Sequence, residues 1–453
     1  MPSVEAFGVE PIPPELQTVR WRDLFAINFT FFLNPVMYLL GALAVVDGHL
    51  PLWWAVGAMV VGQALAYSLL VVIAQPGVDY GLPGQVAMRA SLGYWGARLL
   101  SSPYRLVAAT YWFAAQALTG GLGFQAIVQA ISGRHLPLVP LALALAAFHA
   151  TLAVLGFDVA RWLLRFVMPV SLLFTGVIVG LYATSHDPRY AVGRVFHSPG
   201  EHLTWTGFAK YVTVMCGASL TLVPSIADFC RYTPTRRDMR IGYAGSALAA
   251  AVVTTFVGGY AAAATGATNP FIAVSQLTSS TALLAAVLAA IAVQGIAANI
   301  TNVYTAGMSL VNSLPRLGRL RATIVAGAAA FALSAFPDFV NHAQRWIIHL
   351  GNLGAPLAGV VLAHYLVIDR QELDVPALYD PAGRYRYHGG VNVNAVVAIA
   401  IGVAAYYSVP QAWLQVVWGV GAGSAAYLGL AALTAAVAPT GVRIRSGSES
   451  HLT

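Results

Sequence analysis

The stretch YWFAAQALTGGLGFQ, residues 111–125, places two side chains with binding chemistry in an apolar segment. Trp112 has an aromatic face on which a flat ligand can stack, and Gln116 has an amide that donates and accepts hydrogen bonds. The two residues are four positions apart, so a helix presents them on one face. A buried amide without a partner costs several kcal/mol. Gln116 therefore meets either a ligand or a neighbouring helix, and in the second case Trp112 is a core or lipid-facing aromatic.

A second apolar stretch, NITNVYTAGMSL, carries Asn299 and Asn302 on one helix face. Buried amides either contact a ligand or ion or hold neighbouring helices together, and the second role suits Asn302 better. Thr301 and Tyr304 are weaker candidates. Other polar residues in apolar segments are expected to be packing partners, namely Gln63, Gln129, Gln294, His149, His349 and His364. The alternative for any one of the three histidines is a role in proton relay, because histidine titrates near neutral pH. Metal-ligand clusters, nucleophile elbows and phosphate-binding loops are absent from the sequence, so we expect no catalysis, no cofactor and no ATP-driven transport.

The composition places these side chains in a lipid bilayer. Hydrophobic residues make up 58% of the chain and charged residues 9%, and the mean hydropathy is +0.70. Soluble proteins carry about 25% charged residues. The net charge of +7 does not indicate nucleic-acid binding, because the basic residues are scattered over short loops. Cys216 and Cys230 imply no disulfide framework.

The elements that must position these residues are apolar segments, each about as long as a membrane-spanning helix. The sequence predicts a cytosolic tail over 1–23, a transmembrane transporter domain over 24–437 and a second tail over 438–453. We expect a first repeat over 24–183, a second over 205–368 and two further helices over 391–437. The domain contains twelve such segments, over 24–47, 52–75, 103–131, 136–156, 162–183, 205–228, 241–266, 281–311, 321–336, 345–368, 391–408 and 411–437.

Basic residues favour one orientation. If the N-terminus is cytosolic, the cytosolic side holds 19 of the 24 basic residues, and this bias predicts that both termini face the cytosol. The outer side holds Arg134, Arg189, Arg194, Lys210 and Arg345. The inner set is Arg20, Arg22, Arg89, Arg98, Arg105, Arg161, Arg165, Arg231, Arg236, Arg237, Arg240, Arg316, Arg319, Arg321, Arg370, Arg384, Arg386, Arg443 and Arg445.

Two segments have a proline near the middle, Pro35 in the first and Pro224 in the sixth. These segments open the two halves of a five-plus-five inverted repeat, and helices interrupted at matching places indicate a transporter's binding site. The alternative is that both prolines are ordinary kinks. Near the first proline, Asn34 and Tyr38 are candidate contacts, and near the second the small residues Gly217, Ala218 and Ser219 would bring backbone close to a ligand.

Four stretches, in order along the chain, resemble the purine–cytosine permease branch of the nucleobase–cation symporter family. They are GLPGQVAMRASLGYWGARL, SIADFCRYTPTRRD, NITNVYTAGMSL and APLAGVVLAHYLVIDR with the GGVNVNAVVAIAIGVAAYY that follows. The resemblance covers roughly residues 20–430. It implies an all-α, leucine-transporter-like fold with twelve helices, and import of a small planar heterocycle driven by sodium or protons.

The resemblance also implies site residues. Trp112 falls on the family's stacking tryptophan, Gln116 on the amide that follows it in hydantoin transporters, and Asn299 on a substrate- or ion-side asparagine. At Ser219 characterised relatives have a second aromatic, so here stacking is one-sided, or Phe32 or Tyr38 takes its place.

The expected coupling ion depends on a second position at which this sequence departs from the family pattern. Sodium-coupled members have two adjacent hydroxyl residues where this chain has Ala297 and Ala298, so proton coupling is favoured. Asn302, Thr301 and Asp228 are candidate coupling residues. Asp228, with Arg231, is either part of a gate or proton path or a helix-end anchor. The leading prediction is an importer of cytosine or a purine in the inner membrane. The alternatives are a sodium-coupled importer of hydantoin, allantoin or a thiamine-precursor pyrimidine, and a passive channel.

Overall fold

The computed structural model describes residues 8–154, 157–196 and 203–437, without the side chains of 157–165 and 437. Arg161, Arg165, Arg443 and Arg445 of the inner set lie outside the described side chains. So do the first seven residues of the N-terminal tail and the whole C-terminal tail. Thirteen helices of twelve or more residues occur in the described part. They are α1 Trp21–Phe32, α2 Pro35–Val46, α3 Leu52–Ile73, α4 Ser102–Ser132, α5 Leu138–Val154, α6 Phe157–Thr184, α7 Trp205–Leu220, α8 Ser246–Thr265, α9 Thr281–Ser313, α10 Gly318–Leu333, α11 Ala343–Ala363, α12 Val393–Ser408 and α13 Gln415–Val437.

The fold is all-α, as predicted, and each of the twelve predicted segments coincides with a helix or with an interrupted pair. By length and hydropathy, six helices of the described part can cross a membrane, and the bent pair α1–α2 adds a seventh. Two shorter helices, α5 and α12, are also apolar. The total of twelve crossings stays a prediction.

The first interruption lies where Pro35 predicted it. Helix α1 ends at Phe32, α2 begins at Pro35, and the two axes differ by 60°. Proline has no N–H and a fixed φ, so it ends one helix and starts the next. The side chain of Asn34 caps the new helix, because its Oδ1 accepts the Met37 N–H at 3.0 Å.

The second interruption follows α7. This helix ends at Leu220, residues 221–226 form turns, and a short helix begins again at Ala227. Pro224 lies inside these turns, as the sequence predicted. The two interruptions therefore occur in the first and the sixth of the predicted segments.

Small residues allow the helices around these interruptions to approach closely. A methyl group at Gly62 of α3 would lie 2.5 Å from the Val212 carbonyl oxygen of α7. A methyl group at Gly258 of α8 would overlap the Tyr38 carbonyl oxygen of α2. Close backbone contact of this kind is typical of helix pairs in membranes. It fixes α7 against α3 and α2 against α8.

Members of the predicted inner set meet at one end of the molecule. There, Arg236 pairs with Asp79 at 2.6 Å and Arg384 pairs with Asp369 at 2.9 Å. Gln17 of the N-terminal segment donates to the carbonyl oxygens of Val78 and Arg231. Lys210, which belongs to the predicted outer set, instead pairs with Asp47 where α2 ends.

Candidate functional site

Trp112 of α4 lies at the second interruption. Its indole Nε1 donates to the Thr221 hydroxyl at 3.0 Å, and this hydroxyl donates to the Ala218 carbonyl oxygen at 2.6 Å. Thr221 is the C-cap residue that directly follows α7. The indole is almost wholly buried. Its plane is therefore fixed by the break in α7, and Thr221 is a contact of this candidate residue that sequence reasoning missed.

Gln116, one turn further along α4, lies at the first interruption. Its Oε1 accepts the backbone N–H of Val36 at 3.3 Å. Val36 is the second residue of α2, and the first N–H groups of a helix have no partner within the helix. The amide that appeared costly in the sequence thus satisfies an N–H that the break exposes. Two residues four positions apart on α4 contact both interruptions.

Asn34 and Tyr38, the other candidates of the first predicted segment, use their polar groups in contacts within the protein. Asn34 uses both ends of its amide locally, since its Nδ2 also donates to the Phe31 carbonyl at 2.6 Å. Tyr38 is wholly buried between α2, α6 and α9. Its hydroxyl lies 3.0 Å from the Thr175 hydroxyl and accepts the Gln294 amide at 3.1 Å. This hydrogen bond is the contact through which Gln294 packs between the helices, as expected.

The three small residues of α7 have distinct surroundings. A methyl group at Gly217 would lie 3.1 Å from the Gly351 Cα, so this glycine faces α11. Ala218 supplies the carbonyl that accepts the Thr221 hydroxyl. Ser219 donates to Gln63 Oε1 of α3 at 2.8 Å. Ala218 is therefore linked to Trp112 through Thr221, whereas Gly217 and Ser219 contact neighbouring helices.

The two asparagines of α9 have different partners, since Asn299 contacts α5 and Asn302 contacts its own helix. The Asn299 amide lies 2.9 Å from His149 Nδ1 of α5, and His149 Nε2 lies 2.9 Å from the Ala292 carbonyl. The carbonyl of Asn302 accepts the Thr305 hydroxyl at 3.2 Å. Asn299 and Asn302 are both buried, and in the described part of the chain the Oδ1 atom of each has no hydrogen-bond partner. These two oxygens remain available to a ligand or ion.

Possible cation ligands are few near these asparagines. Ala297 packs in an apolar cluster with Val167 and Ile300, and its neighbour Ala298 is also buried. Asp228, at the far end of the second interruption, accepts the Gly84 N–H at 2.8 Å through Oδ1. Asp228 thereby joins the interruption to the loop that contains GLPG.

A cleft begins on the arginine-rich side of Trp112. It encloses about 400 Å³ of space, open solvent included, between α1, α4, α9 and the second interruption. Thr301 and Thr305 line it, together with Arg105. The sequence counted Arg105 among charges of the cytosolic side, but the side chain is wholly buried. The signal that could have found it is spacing, since Arg105 precedes Trp112 by seven positions and so shares its helix face.

Solved structures have the same fold. The transporter Mhp1 of the nucleobase-cation-symport-1 family, in a closed conformation with bromovinylhydantoin bound, superposes with a TM-score of 0.78. It is 20% identical, and the match covers 96% of each chain. A Na⁺-coupled sialic acid symporter in a substrate-bound outward-open state gives a TM-score of 0.62 at 12% identity, over 92% of this chain and 91% of the other. At these identities the likeness shows the fold, which is that of leucine-transporter-like symporters.

Curated relatives are permeases rather than enzymes. The purine-uracil permease NCS1 of Arabidopsis thaliana is 26% identical over 89% of this chain and 71% of its own. The hydantoin permease of Microbacterium maritypicum is 23% identical over 86% of this chain and 81% of its own. The family model described as permease for cytosine/purines, uracil, thiamine and allantoin matches residues 11–429. The chain therefore belongs to this family of membrane permeases.

Proposed function

We propose that the chain is a secondary active symporter that brings cytosine, a purine or a related small planar heterocycle into the cell. The observation that carries this proposal is the pair Trp112 and Gln116. One is an aromatic face and the other an amide, and their hydrogen bonds join α4 to both interrupted spans. A ring stacked on Trp112 would be at the point where the two halves of the molecule meet. Movement of either interrupted helix would then change the ring's surroundings, as alternating access requires.

We propose protons as the coupling ion. A sodium ion needs several hard oxygen ligands, and Ala297 and Ala298 supply none from their side chains. The groups available to carry a proton near the site are His149, in contact with Asn299, and Asp228 at the second interruption. Both side chains are buried.

For orientation, we propose that both termini face the cytosol of a cell whose inner membrane holds the protein. The grouping of Arg236, Arg384 and the N-terminal segment at one end supports this assignment. Transport toward that end is import.

The test of the substrate class is a thermal-shift screen of the purified full-length protein against about thirty heterocycles. A ligand that binds only the folded state raises the melting temperature in proportion to the logarithm of its concentration over Kd. We expect at least one nucleobase to stabilise the wild-type protein and to lose most of this effect in Trp112→Ala. If non-planar solutes of similar size stabilise the protein equally well, the proposal is wrong.

A second candidate is a hydantoin or allantoin importer coupled to sodium. It is favoured by the Gln116 amide, which matches hydantoin-transporting relatives, and by the likeness to a hydantoin permease. The same screen separates the two, because hydantoins are five-membered rings and cytosine is a six-membered ring. A passive channel for these solutes would not accumulate them against a gradient.

A further inference from the structure

Arg105 is a fully buried charge that the transport scheme above does not use. It lies one turn from the start of α4, and its side chain is 0% exposed. Trp112 is two turns further along the same helix face, about 10.5 Å away at 1.5 Å per residue. The guanidinium therefore lies below the stacking residue, on the side of the molecule that carries most arginines.

In the part of the chain that the structure describes, most of the donors of Arg105 have no hydrogen-bond partner. Nη2 donates to the Thr305 hydroxyl at 2.8 Å. Among the described residues, Nε and Nη1 make no hydrogen bond. A guanidinium has five N–H groups, and these two nitrogens carry three of them. A buried charge is costly unless it is paired, and no acceptor among the described residues reaches these two nitrogens.

The cleft beside Arg105 has apolar walls and one polar end. Phe31, Leu222 and Phe229 form apolar walls of the cleft, and Arg105, Thr301 and Thr305 form a polar end. The hydroxyl of Thr305 already donates to the carbonyls of Thr301 and Asn302. Arg105 lines the cleft but is 0% exposed, so a ligand reaches its Nε and Nη1 donors only when the cleft opens.

An anionic oxygen suits the Arg105 donors that make no hydrogen bond in the described part of the chain. Asp228 is the carboxylate that acts electrostatically on Arg105. Its Oδ1, however, is held by the Gly84 N–H at 2.8 Å rather than by the guanidinium. Arginine binds carboxylates and other anionic oxygens through short, charge-assisted hydrogen bonds.

We propose that the cleft below Trp112 is a second binding position for the transported ring, and that Arg105 there selects heterocycles bearing an anionic oxygen. The inference rests on the proposed function and narrows its substrate class. The ring would leave Trp112, move two turns along α4 and place its anionic edge on Nε and Nη1 of Arg105. Neutral rings of the same shape would bind less tightly.

The experiment compares two ligands that share one ring, uracil and 6-carboxyuracil. Their dissociation constants are measured on the purified full-length protein. We expect wild-type protein to bind 6-carboxyuracil roughly 10- to 150-fold more tightly, the range for a hydrogen bond to a charged group. Arg105→Gln should remove this preference and leave uracil binding within about threefold. Arg240→Gln is the matched control, because Arg240 is exposed near the same end and does not line the cleft.

Thr305→Val gives a test that keeps the charge. It removes the hydroxyl that holds Nη2, so the preference should fall several-fold although Arg105 is present. Equal binding of the two ligands by wild-type protein, or an unchanged preference in Arg105→Gln, overturns the inference even if Arg105 variants fold poorly. If uracil binding depends on Trp112 but shows no gain from the carboxylate, only this inference fails. If neither ring binds, the proposed function fails with it.

Discussion

One indole N–H fixes Trp112, and one amide oxygen fixes Gln116. Their partners, Thr221 and Val36, both belong to interruptions of the helical backbone. A ligand that contacts these two side chains would therefore sense the position of both broken helices. This is why their chemistry suggests transport rather than simple binding.

Replacing Trp112 tests the stacking role. Loss of a base–aromatic stack costs roughly 1–3 kcal/mol, so Trp112→Ala should weaken heterocycle binding about 5- to 150-fold. Trp112→Phe keeps a ring and loses only the donor to Thr221, so its effect should be smaller. The effect of each variant is measured as the dissociation constant of the heterocycle that binds the wild-type protein most tightly. Wild-type affinity in well-folded Trp112→Ala would show that the ring stacks elsewhere.

Replacing Gln116 tests the link to the first interruption. Gln116→Leu leaves the Val36 N–H without its acceptor, which should cost about 1–3 kcal/mol of stability as well as ligand affinity. Gln129→Leu, on an exposed position of the same helix, should change neither quantity. Thermal unfolding with and without ligand separates the two effects. Equal behaviour of the two variants would remove Gln116 from the site.

At the scale of elements, the fold depends on helices that touch through their backbones. The contact between Gly258 of α8 and Tyr38 of α2 holds the second part of the first broken span in place. A larger side chain should therefore destabilise the helices around the site at a few glycines and be tolerated at others.

This predicts a contrast between two identical substitutions. Gly258→Val should destabilise the protein by about 1–3 kcal/mol or more, because the new side chain overlaps backbone that cannot move away. Gly176→Val in α6 meets no atom within 4 Å and should be nearly neutral. Melting temperatures of the two variants, measured in detergent, test this contrast. Similar losses in both variants would mean that α8 does not pack on α2 as described.

Local sequence determined what could be predicted about these elements. Pro35 has no N–H to continue the first helix, and Asn34 caps the next helix through a neighbour three residues away, so this break was readable from the chain. The partners of Ser219 and Asn299 are 156 and 150 residues away in sequence, and only tertiary packing brings them together. Arg105 was placed with the cytosolic charges because arginine is rarely buried without a partner, and its cleft forms from three separate helices.

At the scale of the whole molecule, the proposed orientation is testable by labelling. The native Cys216 and Cys230 are 2% and 0% exposed, so they give little background. In intact cells a membrane-impermeant maleimide should label Arg189→Cys, and should label Arg237→Cys only after permeabilisation; both positions are exposed. The reverse pattern would place the termini outside.

The central claim, that this permease accumulates a flat heterocycle by proton symport, is tested most directly by uptake into proteoliposomes. An inward proton gradient is imposed with and without sodium, and labelled cytosine, hypoxanthine and uracil are supplied. We predict concentrative uptake of at least one ring that needs the proton gradient, proceeds without sodium and falls sharply in Trp112→Ala. Uptake that requires sodium and ignores the proton gradient, or that never exceeds equilibration, would contradict the account.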